Sequence, residues 1–305
     1  MRSSLIYLMR HLLTGNELSA ADLHAIIDRA AELKAAPLSS SVLAGRTVAL
    51  IFQKPSTRTR ISFEVGIAEL GGRPMLLSPV DLQLGRGESL RDTARVLGRH
   101  VAAVGVRTHA DSELEELAAE NQLPVFNMLT ERYHPCQVLA DLLTLQETFG
   151  RLEGLKLAYV GDGDNNMARS LVELSSRVGV DVVIAAPEGY TLDGGETIDP
   201  REAVAGANAV YTDVWVSMGD EATADARKAD LAPYKIDDAL LDAAAPDVIA
   251  LHCLPAHPGE EITADVLYGD RQRIWDQAEN RRHAQKALLE WLCDGSRQDR
   301  PAEQI

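Results

Sequence analysis

TVALIFQKPSTRTRISF, residues 47 to 63, is an apolar run that stops abruptly at a Lys-Pro-Ser-Thr-Arg-Thr-Arg segment. The β-branched and apolar residues from Thr47 to Phe52 predict a buried parallel strand. From Ser56 to Leu70, apolar Ile61, Val65, Ile67, Ala68 and Leu70 predict a helix. A strand, a short polar turn and a helix start together make an anion-binding geometry, because the first backbone N–H groups of a helix have no intrahelical partners and lie at its positive end. Ser56, Thr57 and Thr59 add hydroxyl donors, and Arg58 adds a planar fork suited to a phosphate or a carbonyl oxygen. The plainer alternative is a Ser N-cap followed by a solvated face carrying Arg58 and Arg60, and this stretch alone leaves the two readings evenly balanced.

Working outward, 305 residues with 46% hydrophobic and 25% charged composition suit two globular domains of similar size. The net charge of −16 argues against nucleic acid or an anionic membrane as a partner, since either demands a basic face. It also means that an anion site must concentrate the chain's few cations in one place. Cys136, Cys253 and Cys293 are odd in number and widely spaced, which points to a reduced, cytoplasmic protein with no disulfide frame and no structural zinc. The N-terminal SSLIYLM patch is cut short by Arg10 and His11, so neither a signal peptide nor a membrane span is expected.

The remaining pattern alternates strands and helices. Ser19 to Lys34 predicts a capped helix, Arg73 to Ser78 a strand, Glu88 to Arg99 a helix, His100 to Arg107 a strand and Pro124 to Met128 another. A helix starting at Pro135 then closes a first domain, residues 1–148. In the second, 149–278, strands are expected at Lys156 to Val160, Asp181 to Ala186, Asn208 to Thr212 and Val248 to Leu251, with a helix near Asn166 to Val178. A last helix, about 279–293, and a flexible tail, 294–305, complete the chain.

Chemistry-bearing residues recur at the predicted strand ends, where open parallel sheets bind ligands. Arg107 ends one strand and is better placed for a phosphate there than in mid-helix, with an ion pair to Asp111 or Glu113 as the alternative. His134 and Gln137 flank the helix start at Pro135 and face one end of it. Gly161, Gly163 and Asn166 make an incomplete dinucleotide fingerprint; Asn165 and Asn166 at a helix start instead offer an amide to a carboxylate, or simply cap it. In D-V-W-V-S-M-G, Asp213 can hold an ammonium, while Ser217 and the Met218 N–H can hold a carboxylate, a combination suited to an α-amino acid. Cys253, in H-C-L-P, is either a site residue or a buried small hydrophobe.

The Ser-Thr-Arg-Thr-Arg loop, His-Pro-x-Gln, the Ser-Met-Gly loop, His-Cys-Leu-Pro and A-E-N-R-R together resemble the aspartate/ornithine carbamoyltransferase family, over most of residues 47 to 290. The Ser-Met-Gly loop and His-Cys-Leu-Pro resemble its ornithine-specific branch. The resemblance implies an α/β fold of two doubly wound domains with parallel sheets, an active site in the interdomain cleft, and a C-terminal helix that returns to the first, carbamoyl-phosphate-binding domain. It implies transfer of the carbamoyl group of carbamoyl phosphate to the δ-amine of L-ornithine, without cofactor or metal, in a homotrimer or a multiple of trimers. On that reading Ser56, Thr57, Arg58, Thr59 and Arg107 hold the phosphate; Thr59, Arg107 and His134 meet the developing oxyanion; Gln137 and Arg281 orient the carbamoyl group. Gln83 reaches in from a neighbouring subunit. Asp213 takes the α-ammonium; Asn166, Ser217 and Met218 take the carboxylate; Cys253 and the Leu254 carbonyl lie against the δ-amine, and since that amine needs no acyl intermediate Cys253 is not expected to act as a covalent nucleophile. The 189–213 segment is shorter than the family pattern, which leaves room for another amine acceptor such as putrescine or a modified ornithine. A catalytically silent paralogue and a nicotinamide oxidoreductase are the readings from other classes. The compact length suits arginine synthesis rather than breakdown.

Overall fold

The computed structural model describes residues 9–78, 81–82, 87–216 and 221–294. They fall into two compact units, one running to Cys136 and resuming at Arg282, the other spanning Gln137–Arg281.

The first unit contains α1 (Ala20–Ala35), β1 (Thr47–Phe52), α2 (Thr57–Glu69), β2 (Arg73–Leu77), α3 (Leu90–His100), β3 (Ala103–Arg107), α4 (Asp111–Ala119) and β4 (Val125–Leu129). Helix α5 (Pro135–Phe149) begins in it and continues into the second unit. That unit holds β5 (Lys156–Val160), α6 (Asn166–Ser175), β6 (Asp181–Ala185), α7 (Pro200–Val204), β7 (Ala209–Thr212), α8 (Ala224–Leu231), α9 (Asp238–Leu241), β8 (Ile249–His252) and α10 (Ala264–Tyr268). Helix α11 (Ile274–Asp294) starts there and ends in the first unit.

Each unit is built on one four-stranded parallel sheet. The orders are β2-β1-β3-β4 and β6-β5-β7-β8, so the same winding is used twice. In each, the chain moves outward in one direction from the first strand and then reverses, which leaves a crevice outside the carboxyl ends of the two strands flanking the reversal. In the first sheet these are β1 and β3; in the second, β5 and β7. Because parallel strands are covered on both faces, the central ones are apolar except at their ends, and β3 is buried along its whole length, Arg107 included. Gly105 sits mid-strand there because a Cβ would come within 2.3 Å of the Phe126 ring. Ala49, Ile51, Val104, Val106 and Val125 pack against Leu97, Leu114 and Leu117 of the covering helices. In the second unit Ala158, Val160, Val210 and Ala250 pack against Val204, Leu240, Ile262 and Val266.

Local signals explain most of the boundaries. Ser19 caps α1 in a reciprocal box with Asp22, and Ser56 caps α2 by accepting from the Thr59 N–H. Three expectations need correction. The strand expected from His100 starts at Ala103, since α3 runs to His100 with basic Arg99 and His100 in its last turn. Helix α4 was not expected, nor were α7 to α10, which are short; the N-cap of α4, Ala110, makes no side-chain cap. The last helix begins at Ile274 rather than near Glu279, because Gln272 accepts from the Ile274 N–H while Trp275 in that first turn stays exposed and breaks the apolar periodicity. No helix among the described residues is long and apolar enough to cross a membrane.

Candidate active site

Cations and hydroxyls of the first unit gather at the carboxyl ends of β1, β3 and β4. The parallel register pairs Phe52 with Arg107, and the Gln53 N–H donates to the Arg107 carbonyl at 2.8 Å, so the turn leaving β1 starts beside the end of β3. Ser56 Oγ accepts from the Thr59 N–H at 3.3 Å and donates to Thr59 Oγ1 at 3.1 Å. Thr59 and Arg107 are buried and Arg58 is half-buried. Arg60, by contrast, points to solvent and pairs with Glu64 at 2.7 Å, one turn along α2. The two nearby acids are engaged elsewhere: Glu113 accepts from Thr108 Oγ1 and Gln53 Nε2, and Asp111 from Thr130 Oγ1. His134, 5% exposed, follows β4 immediately before α5. An acidic chain thus places Arg58, Arg107 and His134 at three neighbouring strand ends.

The second unit brings together two further sets. On α5 and α11, an Arg281 guanidinium N–H donates to Gln137 Oε1, with both side chains buried. At the other strand ends, the register pairs Thr212 of β7 with His252 of β8, so the residues that follow, Asp213 and Cys253, emerge side by side. The Cys253 thiol donates to Asp213 Oδ1 at 2.9 Å. Desolvation, reinforced by the Asp213 charge, pushes the Cys253 thiol well above its ordinary range. It is held as a neutral donor, not as the thiolate that covalent catalysis would use. Leu254 has a left-handed backbone, φ 60°, a strained conformation for a branched residue. Its N–H is anchored on His252 Nδ1 at 2.8 Å, and His252 Nε2 faces buried Glu261 at 3.2 Å. Since Nδ1 accepts, Nε2 carries the proton that Glu261 receives.

Of the two asparagines after β5, Asn165 is the cap: its Oδ1 accepts from the Ala168 N–H at 2.9 Å and its Nδ2 donates to the Tyr159 hydroxyl at 2.7 Å. Asn166 is the first residue of α6 and stays partly exposed. Gln83, Ser217, Met218 and the tail from 295 lie outside the described residues. The chain leading to the Ser-Met-Gly loop is nevertheless fixed. Arg227 donates to the Trp215 carbonyl at 2.8 Å and to Asp162 Oδ2, and its guanidinium lies 5.1 Å over the Tyr190 ring. Sequence reasoning passed over Arg227 and Asp162; the sole signal was an acid in the turn after β5. It also passed over Asp141 and Gln277, one helical turn from Gln137 and Arg281 respectively, on faces otherwise apolar or unremarkable.

Two family models match the chain: the carbamoyl-phosphate-binding domain of aspartate/ornithine carbamoyltransferase over residues 10–147, and the aspartate/ornithine-binding domain over 153–292. A protein of Gloeobacter violaceus named ornithine carbamoyltransferase is 51% identical over 301 residues, covering 93% of this chain and 96% of that relative. One of the same name from Acidothermus cellulolyticus is 48% identical, covering 95% and 98%. Among solved structures, the ornithine carbamoyltransferase of Pyrococcus furiosus superposes with a TM-score of 0.89 at 44% identity, covering 94% of this chain and 97% of that one.

Proposed function

The chain belongs to the aspartate/ornithine carbamoyltransferase family, and from that premise we propose that it transfers the carbamoyl group of carbamoyl phosphate to the δ-amine of L-ornithine. The products are L-citrulline and phosphate. The observation that carries the choice of acceptor is the Asp213–Cys253 pair: one carboxylate for an ammonium, beside a protonated thiol that can lie against an amine without adding a charge.

The amine attacks the carbamoyl carbon, negative charge grows on the carbonyl oxygen, and the C–O bond to phosphate breaks as the departing phosphate takes up the proton that the amine loses. Fixed donors aimed at those oxygens supply most of the acceleration. Ser56, Thr57, Arg58 and Thr59 with Arg107 hold the phosphate, and Thr59, Arg107 and His134 stabilise the oxyanion. Gln137 and Arg281 orient the carbamoyl amide and carbonyl. Asp213 binds the α-ammonium, Asn166, Ser217 and Met218 the carboxylate, and Cys253 with the Leu254 carbonyl the δ-amine. An amine of this kind has a pKa of roughly 10.4, so the site must favour its minority neutral form. A donor that stays neutral, as Cys253 does, suits that requirement.

On this reading residues 1–148, joined by the helix at about 279–293, form the carbamoyl-phosphate-binding domain and residues 149–278 the ornithine-binding domain. We also place the protein in arginine biosynthesis in the cytoplasm, a location that suits its three free cysteines. The assembly is a homotrimer or a multiple of trimers, with Gln83 contributed to a neighbouring subunit's site. The test is a product assay with carbamoyl phosphate and, in parallel, ornithine, putrescine, aspartate and N-acetylornithine, following phosphate and the carbamoylated amine. Citrulline from ornithine well above the others is expected. Faster turnover of another amine would overturn the acceptor, and no turnover would overturn the activity.

A further inference from the structure

Two helices of the second unit meet through a double rung. On α5, Gln137 and Asp141 lie one turn apart; on α11, Gln277 and Arg281 do the same, so each pair shares a helix face. Gln137 meets Arg281 and Asp141 meets Gln277, with all four side chains buried. Gln137 Nε2 donates to Asp141 Oδ1 at 2.8 Å, and Gln277 Nε2 donates to the same oxygen at 2.7 Å.

This arrangement dictates which way both amides point. Asp141 Oδ1 accepts, so each glutamine must turn its nitrogen toward it and its oxygen away. The Gln137 oxygen therefore faces the Arg281 guanidinium, and the Gln277 oxygen accepts the His252 N–H at 3.0 Å. The second Gln277 N–H reaches the Tyr211 hydroxyl at 3.1 Å, which uses both donors of that amide. With the opposite flip, Gln137 would present an NH₂ to a guanidinium, donor against donor. The chain of bonds ends on the peptide that leads into Cys253 and Leu254, whose other anchor is the His252 ring. Asp141 Oδ2 has no hydrogen-bond partner among the described residues, a cost that stability alone gives no reason to bear.

We propose that Asp141 and Gln277 are positioning residues: Asp141 fixes the flip of the Gln137 amide so that its oxygen accepts from the carbamoyl nitrogen beside Arg281, and Gln277 ties that setting to the backbone carrying Cys253. The inference rests on the carbamoyl-transfer reading above, in which Gln137 and Arg281 hold the carbamoyl group and Cys253 and Leu254 the attacking amine. The two substrates' contacts are then set by one buried network instead of two independent ones.

The test is steady-state citrulline formation by the full-length enzyme and by Asp141→Leu, Asp141→Asn, Gln277→Met and the Asp141→Leu/Gln277→Met double variant, with urea unfolding in parallel. Asp141→Leu and Gln277→Met are each expected to lower kcat per folded molecule by about 100-fold, the scale of losing one aimed donor or acceptor. Asp141→Asn, whose amide oxygen can still accept both bonds, should restore kcat to within about threefold, and the double variant should fall little further than either single one, as coupled residues do. A structural role alone would move the urea midpoint and leave kcat per folded molecule unchanged, which would overturn the proposal. So would Asn behaving like Leu, or strictly additive losses. Should Asp141→Leu fail to fold, Gln277→Met against Asp141→Asn decides the same question. Absence of citrulline from the wild-type enzyme would instead refute the carbamoyl-transfer reading itself.

Discussion

The Cys253 thiol donates to Asp213 Oδ1 across 2.9 Å, although the two residues are 40 positions apart, because the strands before them are paired in parallel, Thr212 beside His252. Desolvation by burial keeps the proton on sulfur, and the Asp213 carboxylate adds to the effect. Alkylation of Cys253 by iodoacetamide at neutral pH is predicted to be at least about tenfold slower than for an ordinary exposed thiol, whose pKa is near 8.5. Asp213→Asn should speed it. Rates followed by mass spectrometry check this, and an unchanged or slower rate in Asp213→Asn would contradict the electrostatic account.

Asp213 also has a substrate role in the proposed site. Asp213→Ala is predicted to raise the ornithine KM by about 100-fold, the scale of one lost charged hydrogen bond, while the carbamoyl-phosphate KM stays within about threefold. Equal damage to both constants would mean that the acceptor and donor groups are misassigned.

Arg58 tests the phosphate end. It is half-buried at the start of a helix already capped by Ser56, so its removal leaves the cap in place. Arg58→Gly is expected to lower kcat by about 1000-fold or more with little change in melting temperature. Near-normal turnover, or a protein that no longer folds, would count against the role.

Asp141 makes a prediction in pH. Burial pushes its carboxyl up to about 7 from 3.8, opposed by the amides of Gln137 and Gln277, by Arg281 and by the Tyr211 hydroxyl; Cys253 is the other titratable group near it. Between those two values the folded protein keeps a proton that the unfolded chain has lost, so stability falls as pH rises through this window. Asp141→Asn cannot ionise and should escape the fall. It is predicted to be more stable than wild type at pH 8 by up to about 4 kcal/mol, with the difference vanishing near pH 4. Urea unfolding at several pH values decides; parallel curves for the two proteins would rule the account out.

Lys286 is wholly buried, with Nζ 2.6 Å from Glu69 Oε2 and within reach of the Leu33 and Pro37 carbonyls. Lys286→Met strands these acceptors, although Arg282 remains 3.4 Å from the other Glu69 oxygen. A loss of about 3 kcal/mol is expected, at the lower end for a broken buried pair. Adding Glu69→Gln should recover part of it. A double variant no better than Lys286→Met would show that the ion pair is not the source of the loss.

What could be read in the sequence was what local physics dictates. The limits of β1, the Ser56 and Ser19 caps, and Arg107 at a strand end follow from apolar runs meeting polar turns. Helix α4 escaped although Asp111 opens it and Leu114, Leu117 and Ala118 are helically spaced, because so short a segment between two strands reads equally as a connection; the first turn of α11 escaped because exposed Trp275 breaks its apolar spacing. Of the proposed site, the residues in motifs were legible and the residues that hold them were not. Asp141 and Gln277 are 136 positions apart, and only the packing of two helices reveals that they share a bond. An acid inside the apolar run VLADLLTL, one turn after Gln137, was the available hint.

The place of α11 also bears on the order in which the chain can mature. Glu290 clamps Arg29 at 2.7 Å, the Trp291 indole N–H donates to Asp22 at 2.8 Å, and Lys286 seals Glu69; every one of these joins the start of the chain to its last helix. During synthesis, the first unit has its whole sheet early but must wait for α11, which leaves the ribosome last, while Gln137–Arg281 is one uninterrupted segment. The second unit can close while the first still lacks its last helix, and a released chain ending at residue 281 should be cut by protease ahead of Gln137 and spared after it.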